Sequence, residues 1–78
     1  MDVPDGKPRP GEYVILKTLP PGLSDGLPLR DKRAITAIVG KPVVLVGYDD
    51  VGRAELEFVD KRGDNHSIWV GRKFIESA

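Results

Sequence analysis

The sequence predicts a mostly-β fold, a small barrel of five strands with one short helix between strands 1 and 2. Two observations carry this. Between Val43 and Ile75 the chain alternates apolar runs with the turn sequences Asp49-Asp50-Val51-Gly52-Arg53 and Asp60-Lys61-Arg62-Gly63-Asp64-Asn65, the pattern of a β-meander. Five short strands in 78 residues also require a closed or nearly closed sheet. An open one would leave an apolar face bare and two edges unprotected.

Residues 1–11 hold three prolines, two glycines and four charged side chains, with Val3 the lone aliphatic besides Met1. Such a segment buries too little to offset its ordering entropy and reads as a flexible N-terminal arm before a domain over 12–78. Glu12 to Leu19 is rich in β-branched and aromatic residues, the first strand. Pro20 to Pro28 is a turn-dense loop, broken by Pro20-Pro21-Gly22 and Asp25-Gly26, with Leu23, Leu27 and Leu29 expected to pin it to the core.

The helix follows. Ala34, Ile35, Ala37 and Ile38 form its apolar side, while Arg30, Lys32 and Arg33 lie on the wet side. Asp31 is a cap or first-turn acid, and Gly40 with Pro42 ends the element. Two to three turns is all the space allows, so packing must hold it. Val43 to Tyr48 is apolar at successive positions, as in a central strand. Arg53 to Asp60 alternates, with Ala54, Leu56 and Phe58 one way and Arg53, Glu55 and Glu57 the other. His66 to Val70 returns with Ile68 and Val70 inward. Gly71-Arg72-Lys73 is a kink, and Phe74-Ile75 begins the last strand.

A long first connection, tight later hairpins and the kink in Ser67-Ile68-Trp69-Val70-Gly71-Arg72-Lys73-Phe74-Ile75-Glu76 resemble SH3-like barrels over Tyr13 to Glu76. The resemblance implies a fold and is silent on chemistry. The order LPPGLSDGLPLRDKRAI, IVGKPVVLVGYDDVGRAELEFVD and HSIWV also resembles a family of short, uncharacterised bacterial proteins. That likeness implies a bacterial, single-domain protein and no catalytic residues.

Composition narrows the chemistry. Cysteine is absent, which removes disulfides, zinc–thiolate sites and thiol nucleophiles. Twelve basic and 12 acidic residues give zero net charge, against the basic excess of proteins that coat nucleic acid. No run approaches the length of a membrane span and no signal peptide is evident, so no membrane partner and a cytoplasmic location are expected.

No motif implies a catalytic residue, a metal site or a cofactor. His66, beside Asp64 and Asn65, is the single histidine, and a metal site needs three or four converging ligands. It reads as a rim residue bonded to backbone. Asp49, Asp50, Glu55, Glu57 and Asp60 lack the spacing of a calcium loop, and turn aspartates serve their own amides. Gly40-Lys41 and Gly71-Arg72-Lys73 lack the phosphate-loop pattern. No hydroxyl sits in a nucleophile elbow.

Trp69 points outward if Ile68 and Val70 face the core, and Tyr48 and Tyr13 then join it in an aromatic patch. The competing reading makes it a lid, covered by the Pro20–Pro28 loop or the helix. Arg30, Lys32 and Arg33, Lys61 and Arg62, and Arg72 and Lys73 are basic clusters that merge into a patch only if the fold brings them together. The sequence therefore predicts a non-catalytic binding module for a protein partner, with candidate surface residues Trp69, Tyr48, Tyr13, Arg30, Arg33 and Arg72. The alternative is a nucleic-acid-binding barrel that uses the basic helix side with Tyr48 or Trp69 as a stacking platform.

Overall fold

The computed structural model describes residues 7–23 and 25–78. Its elements are β1 (Tyr13–Leu16), α1 (Leu29–Ile38), β2 (Pro42–Tyr48), β3 (Ala54–Val59), β4 (Asn65–Val70), a 3₁₀ turn (Arg72–Phe74) and β5 (Ile75–Ser77). The strands form one antiparallel sheet in the order β4-β3-β2-β1-β5. A long helical first connection, two hairpins and a 3₁₀ turn before the last strand follow in the expected order. The hydrogen-bonded ladder does not close, however, because β4 and β5 are not paired and both remain edges.

The apolar sides of all five strands nevertheless meet in one core. Val14 and Leu16 of β1, Val43 and Leu45 of β2, Ala54, Leu56 and Phe58 of β3, Ile68 and Val70 of β4 and Ile75 of β5 form one buried cluster. Ile35 of α1 joins that cluster, with Ala34, Ile38, Val39, Leu19 and Leu23 packed around it. The ten-residue helix and the loop before it lie against this cluster through these few side chains. The helix is shorter than the ~12–15 residues needed for stability alone, so its contact with the sheet holds it in place.

Its apolar side is narrower than the sequence suggests. Ala37 is exposed, as are Leu27 and Leu29. At 100° per residue Ala34, Ile38 and Ile35 fit within one arc, and Ala37 lies outside it. Asp31 is in the first turn but does not cap it; the backbone N–H groups of Asp31 and Lys32 both donate to the Pro28 carbonyl. At the other end the Gly40 N–H donates to Leu16 O at 2.9 Å, tying helix to β1.

The two hairpin loops use one device. In each, an aspartate opens a five-residue Asp-x-x-Gly-x turn. Asp49 Oδ1 accepts the N–H groups of Val51 and Arg53, and Asp60 Oδ1 accepts those of Arg62 and Asp64. The fourth residue is in the left-handed region, Gly52 at φ +84° and Gly63 at φ +87°, where a Cβ is strained. Its N–H closes on the carbonyl of the opening aspartate at 3.0 Å in both loops. These turns set the registers, so Val59 faces Asn65 and Glu55 faces Trp69.

A bulge interrupts β2. Leu45 pairs with Leu56, but Gly47 pairs with Glu55, leaving one extra residue at Val46. Inserting one residue reverses the faces of those beyond it. Tyr48 consequently pairs with fully buried Ala54 and packs against the core.

The expected arm over residues 1–11 lies partly outside the described residues. Within them, Pro8 is buried and its carbonyl accepts the Tyr48 hydroxyl at 2.8 Å. Lys7 Nζ stands 4.1 Å from the centre of the Tyr48 ring. The Gly11 N–H donates to Leu45 O, and the Leu45 N–H to Glu12 O, extending the β1–β2 ladder backward. Residues 7–11 are therefore tied to the sheet through the ring that the bulge turned inward.

Leu56 is fully buried between its neighbours Leu45 and Ile68. Leu56→Ala should cost about 2–5 kcal/mol, comparable to the roughly 3–5 kcal/mol a domain this small can muster. Urea titration followed by circular dichroism should find the variant largely unfolded without denaturant, whereas Leu29→Ala, at an exposed position, should unfold with the wild-type midpoint.

Candidate functional site

The sheet has a covered face and an open one, and the candidate residues divide between them. On the open face, antiparallel pairing creates two rows across the strands. One runs Trp69, Glu55, Gly47; the next runs Ser67, Glu57, Val44, Tyr13. Trp69 is 44% exposed and Tyr13 60% exposed, which excludes the reading of Trp69 as a covered lid. Bulged Val46, also exposed, and half-buried Val44 lie between them together with Glu55 and Glu57, while half-buried Ile15 lies one row beyond Tyr13. Trp69 and Tyr13 are three strands and one row apart, roughly 15 Å, so they share a surface without touching.

The other aromatic candidate is elsewhere. Tyr48 is half-buried toward the covered face, its hydroxyl and ring occupied by Pro8 and Lys7. The cations are also separated from Trp69. Arg30 and Arg33 are exposed on α1, which packs on the covered face. Lys32 and Arg33 border a shallow depression of about 390 Å³ with Leu29, Thr36 and Ala37. Arg72 borders a different one, about 470 Å³, with Lys17, Lys73, Glu76 and Pro8. The helix cations and the kink cations thus form two patches.

The side chains around Trp69 on this face carry both signs, since Arg53, held to Asp49, lies one row away on the side toward Gly71. Glu55 is its cross-strand neighbour, and Glu57 lies one row away beside Ser67. The sequence places both glutamates on the solvated side of the third strand; their adjacency to Trp69 emerges from the register. Loop length carries that signal, since a turn joining Val59 to Asn65 brings Glu55 opposite Trp69. Val44 and Val46 were legible only as members of an apolar run, because the open side of a central strand looks the same in sequence as its covered side.

At the rim, His66 is bonded to a carboxylate, not to backbone as expected. Its Nε2 is 2.8 Å from Asp60 Oδ2, and its ring stacks on Phe58 at 5.2 Å between centroids. This pair staples the second hairpin. The His66 hydrogen bond, with the Asp64 and Arg62 amides and against the opposing effect of burial, holds the Asp60 carboxyl down at about 2. At Asp49, burial pushes the pKa up, but the Arg53 amide and guanidinium and the Val51 amide outweigh it and keep the group below its usual value. Arg53 Nε meets Asp49 Oδ2 at 2.6 Å. Both aspartates therefore act as loop anchors. Among the described residues no three His, Cys, Asp or Glu side chains converge to hold a metal ion, and no helix is long and apolar enough to cross a membrane.

Fold and site define a small β-rich domain with one sheet face on the core and the other open, with Trp69 and Tyr13 exposed on a surface that carries charges of both signs. No family model, curated protein or solved structure matches the chain.

Because the folded-state pKa of Asp60 is about 2 against 3.8 ordinarily, its contribution to stability is present above pH ~4 and lost as pH falls toward 2. Asp60→Asn should lower the melting temperature at pH 7, and the gap from wild type should shrink between pH 4 and pH 2. A gap of constant size across that range would mean that Asp60 ionisation does not support the loop.

Proposed function

We propose that this chain is a non-catalytic binding module of the bacterial cytoplasm that recognises another protein through the open face of its sheet. The observation that carries the reading is the setting of Trp69. A large aromatic ring is presented to solvent on the face that also exposes Val46 and Tyr13, with Glu55 opposite it, Glu57 one row away, and Arg53 one row away on the other side but paired with Asp49. Exposed apolar groups in contiguous array mark interaction surfaces, and tryptophan and tyrosine dominate the energetics of such surfaces. Carboxylates beside the ring favour a partner with apolar and basic side chains and disfavour a phosphate backbone. The bacterial and cytoplasmic parts rest on the motif-order likeness and on a cysteine-free chain.

The nucleic-acid reading asks for cations around a stacking ring. Here Arg30 and Arg33 are on the helix side of the molecule, and Tyr48 is occupied by Pro8 and Lys7. Protein recognition is accordingly the better-supported function.

Amide shifts in NMR separate the two. With fractionated lysate proteins, shifts should cluster at Trp69, Val46 and Tyr13, and Trp69→Ala should weaken binding at least tenfold while leaving the fold intact by circular dichroism. Salt-sensitive shifts with short single-stranded oligonucleotides, centred on Arg30 and Arg33, would instead establish the nucleic-acid reading.

A further inference from the structure

The two sheet edges are unlike each other. β5 is three residues long and follows a 3₁₀ turn carrying Arg72 and Lys73, so it is blunted in the usual ways, by shortness and flanking charge. β4 is longer, and the charges that flank it, Asp64 before and Arg72 after, lie outside the strand. It is six residues long, Asn65-His66-Ser67-Ile68-Trp69-Val70, with no proline, lysine, arginine or carboxylate. Its register with β3 runs without a bulge from Val70 to Asn65. Among the described residues its backbone pairs with β3 alone. A straight, neutral, six-residue edge is a template for one more strand.

We propose that β4 pairs antiparallel with β4 of a second copy, joining two sheets into one across a twofold axis. Charge argues for this occupant. An isologous contact sets a surface against itself, so any charged edge would repel its own image. β4 carries no carboxylate or permanent cation, and the chain's net charge is zero, so no charge within the strand meets its own image and no net charge opposes approach. If the axis passes through His66, Ser67 or Ile68, the residue opposite Trp69 is respectively Gly63, Asn65 or Ser67 of the second copy. All three are uncharged. The open faces of the two copies then lie side by side, and Trp69 stays at the seam. One shared strand edge falls short of the ~1,200 Å² of a stable interface, so the dimer is weak and in fast exchange. This proposal stands independently of the partner-binding reading.

Sedimentation velocity across concentrations from about 10 μM to about 1 mM tests it in the affinity range of such a dimer. The weight-average coefficient of the wild-type chain should rise toward that of a dimer. Ser67 is exposed, so Ser67→Lys and Ser67→Glu should fold, and each alone should sediment as a monomer because like charges meet across the axis. An equimolar mixture of the two should regain the dimer. A wild-type coefficient that does not change up to ~1 mM, or association undiminished in both variants, would overturn the proposal. If the monomeric Ser67→Lys variant still binds a protein partner, the open-face reading survives without the dimer.

Discussion

A domain this small, without sulfur bridges to brace it, depends on covering one side of one sheet. The buried residues of all five strands point to that side, and Ile35 of a short helix completes it. Burial of apolar surface stabilises by roughly 25 cal/mol per Å², and no second layer is present to share the load. Helix and sheet consequently depend on each other. The helix is too short to persist alone, and the core it joins gains Ile35 from it.

Orientation of everything else follows from register, and register follows from a few backbone devices. Two Asp-x-x-Gly-x turns anchor β2 to β3 and β3 to β4, with the aspartates satisfying amides that the tight loops would leave unpaired. One bulged residue, Val46, then divides the aromatic residues. It turns Tyr48 inward, where the Pro8 carbonyl and Lys7 meet it, and leaves Trp69 on the opposite side. The segment before β1 is thereby held by a ring that, without the bulge, would have faced solvent.

Charge is balanced over the whole chain yet distributed unevenly around Trp69. Glutamates stand beside the ring, arginines occupy the helix on the far side, and another basic group lines a depression near β5. Net charge of zero conceals this. The exposed Trp69 and the uncharged edge lie on the same strand, β4.

The strand count, the helix, the kink before the last strand and the buried residues of β3 and β4 were legible in the sequence, because alternation in β3 and β4 and the glycine-bearing turns are local signals; which residues of β1 and β2 are buried was not. Adjacency of Glu55 to Trp69 was implicit in loop length. The inward turn of Tyr48, the anchoring of residues 7–11 and the separation of the helix cations from Trp69 were not legible. A bulge is a choice among backbone pairings that leaves the same letters in place, and alternation read across it assigns the wrong face. Local composition determined which elements form and which residues are apolar enough to be buried. Tertiary structure alone decided which side of the sheet the helix covers, and so which residues are left facing water, because that choice depends on contacts between segments far apart in the chain.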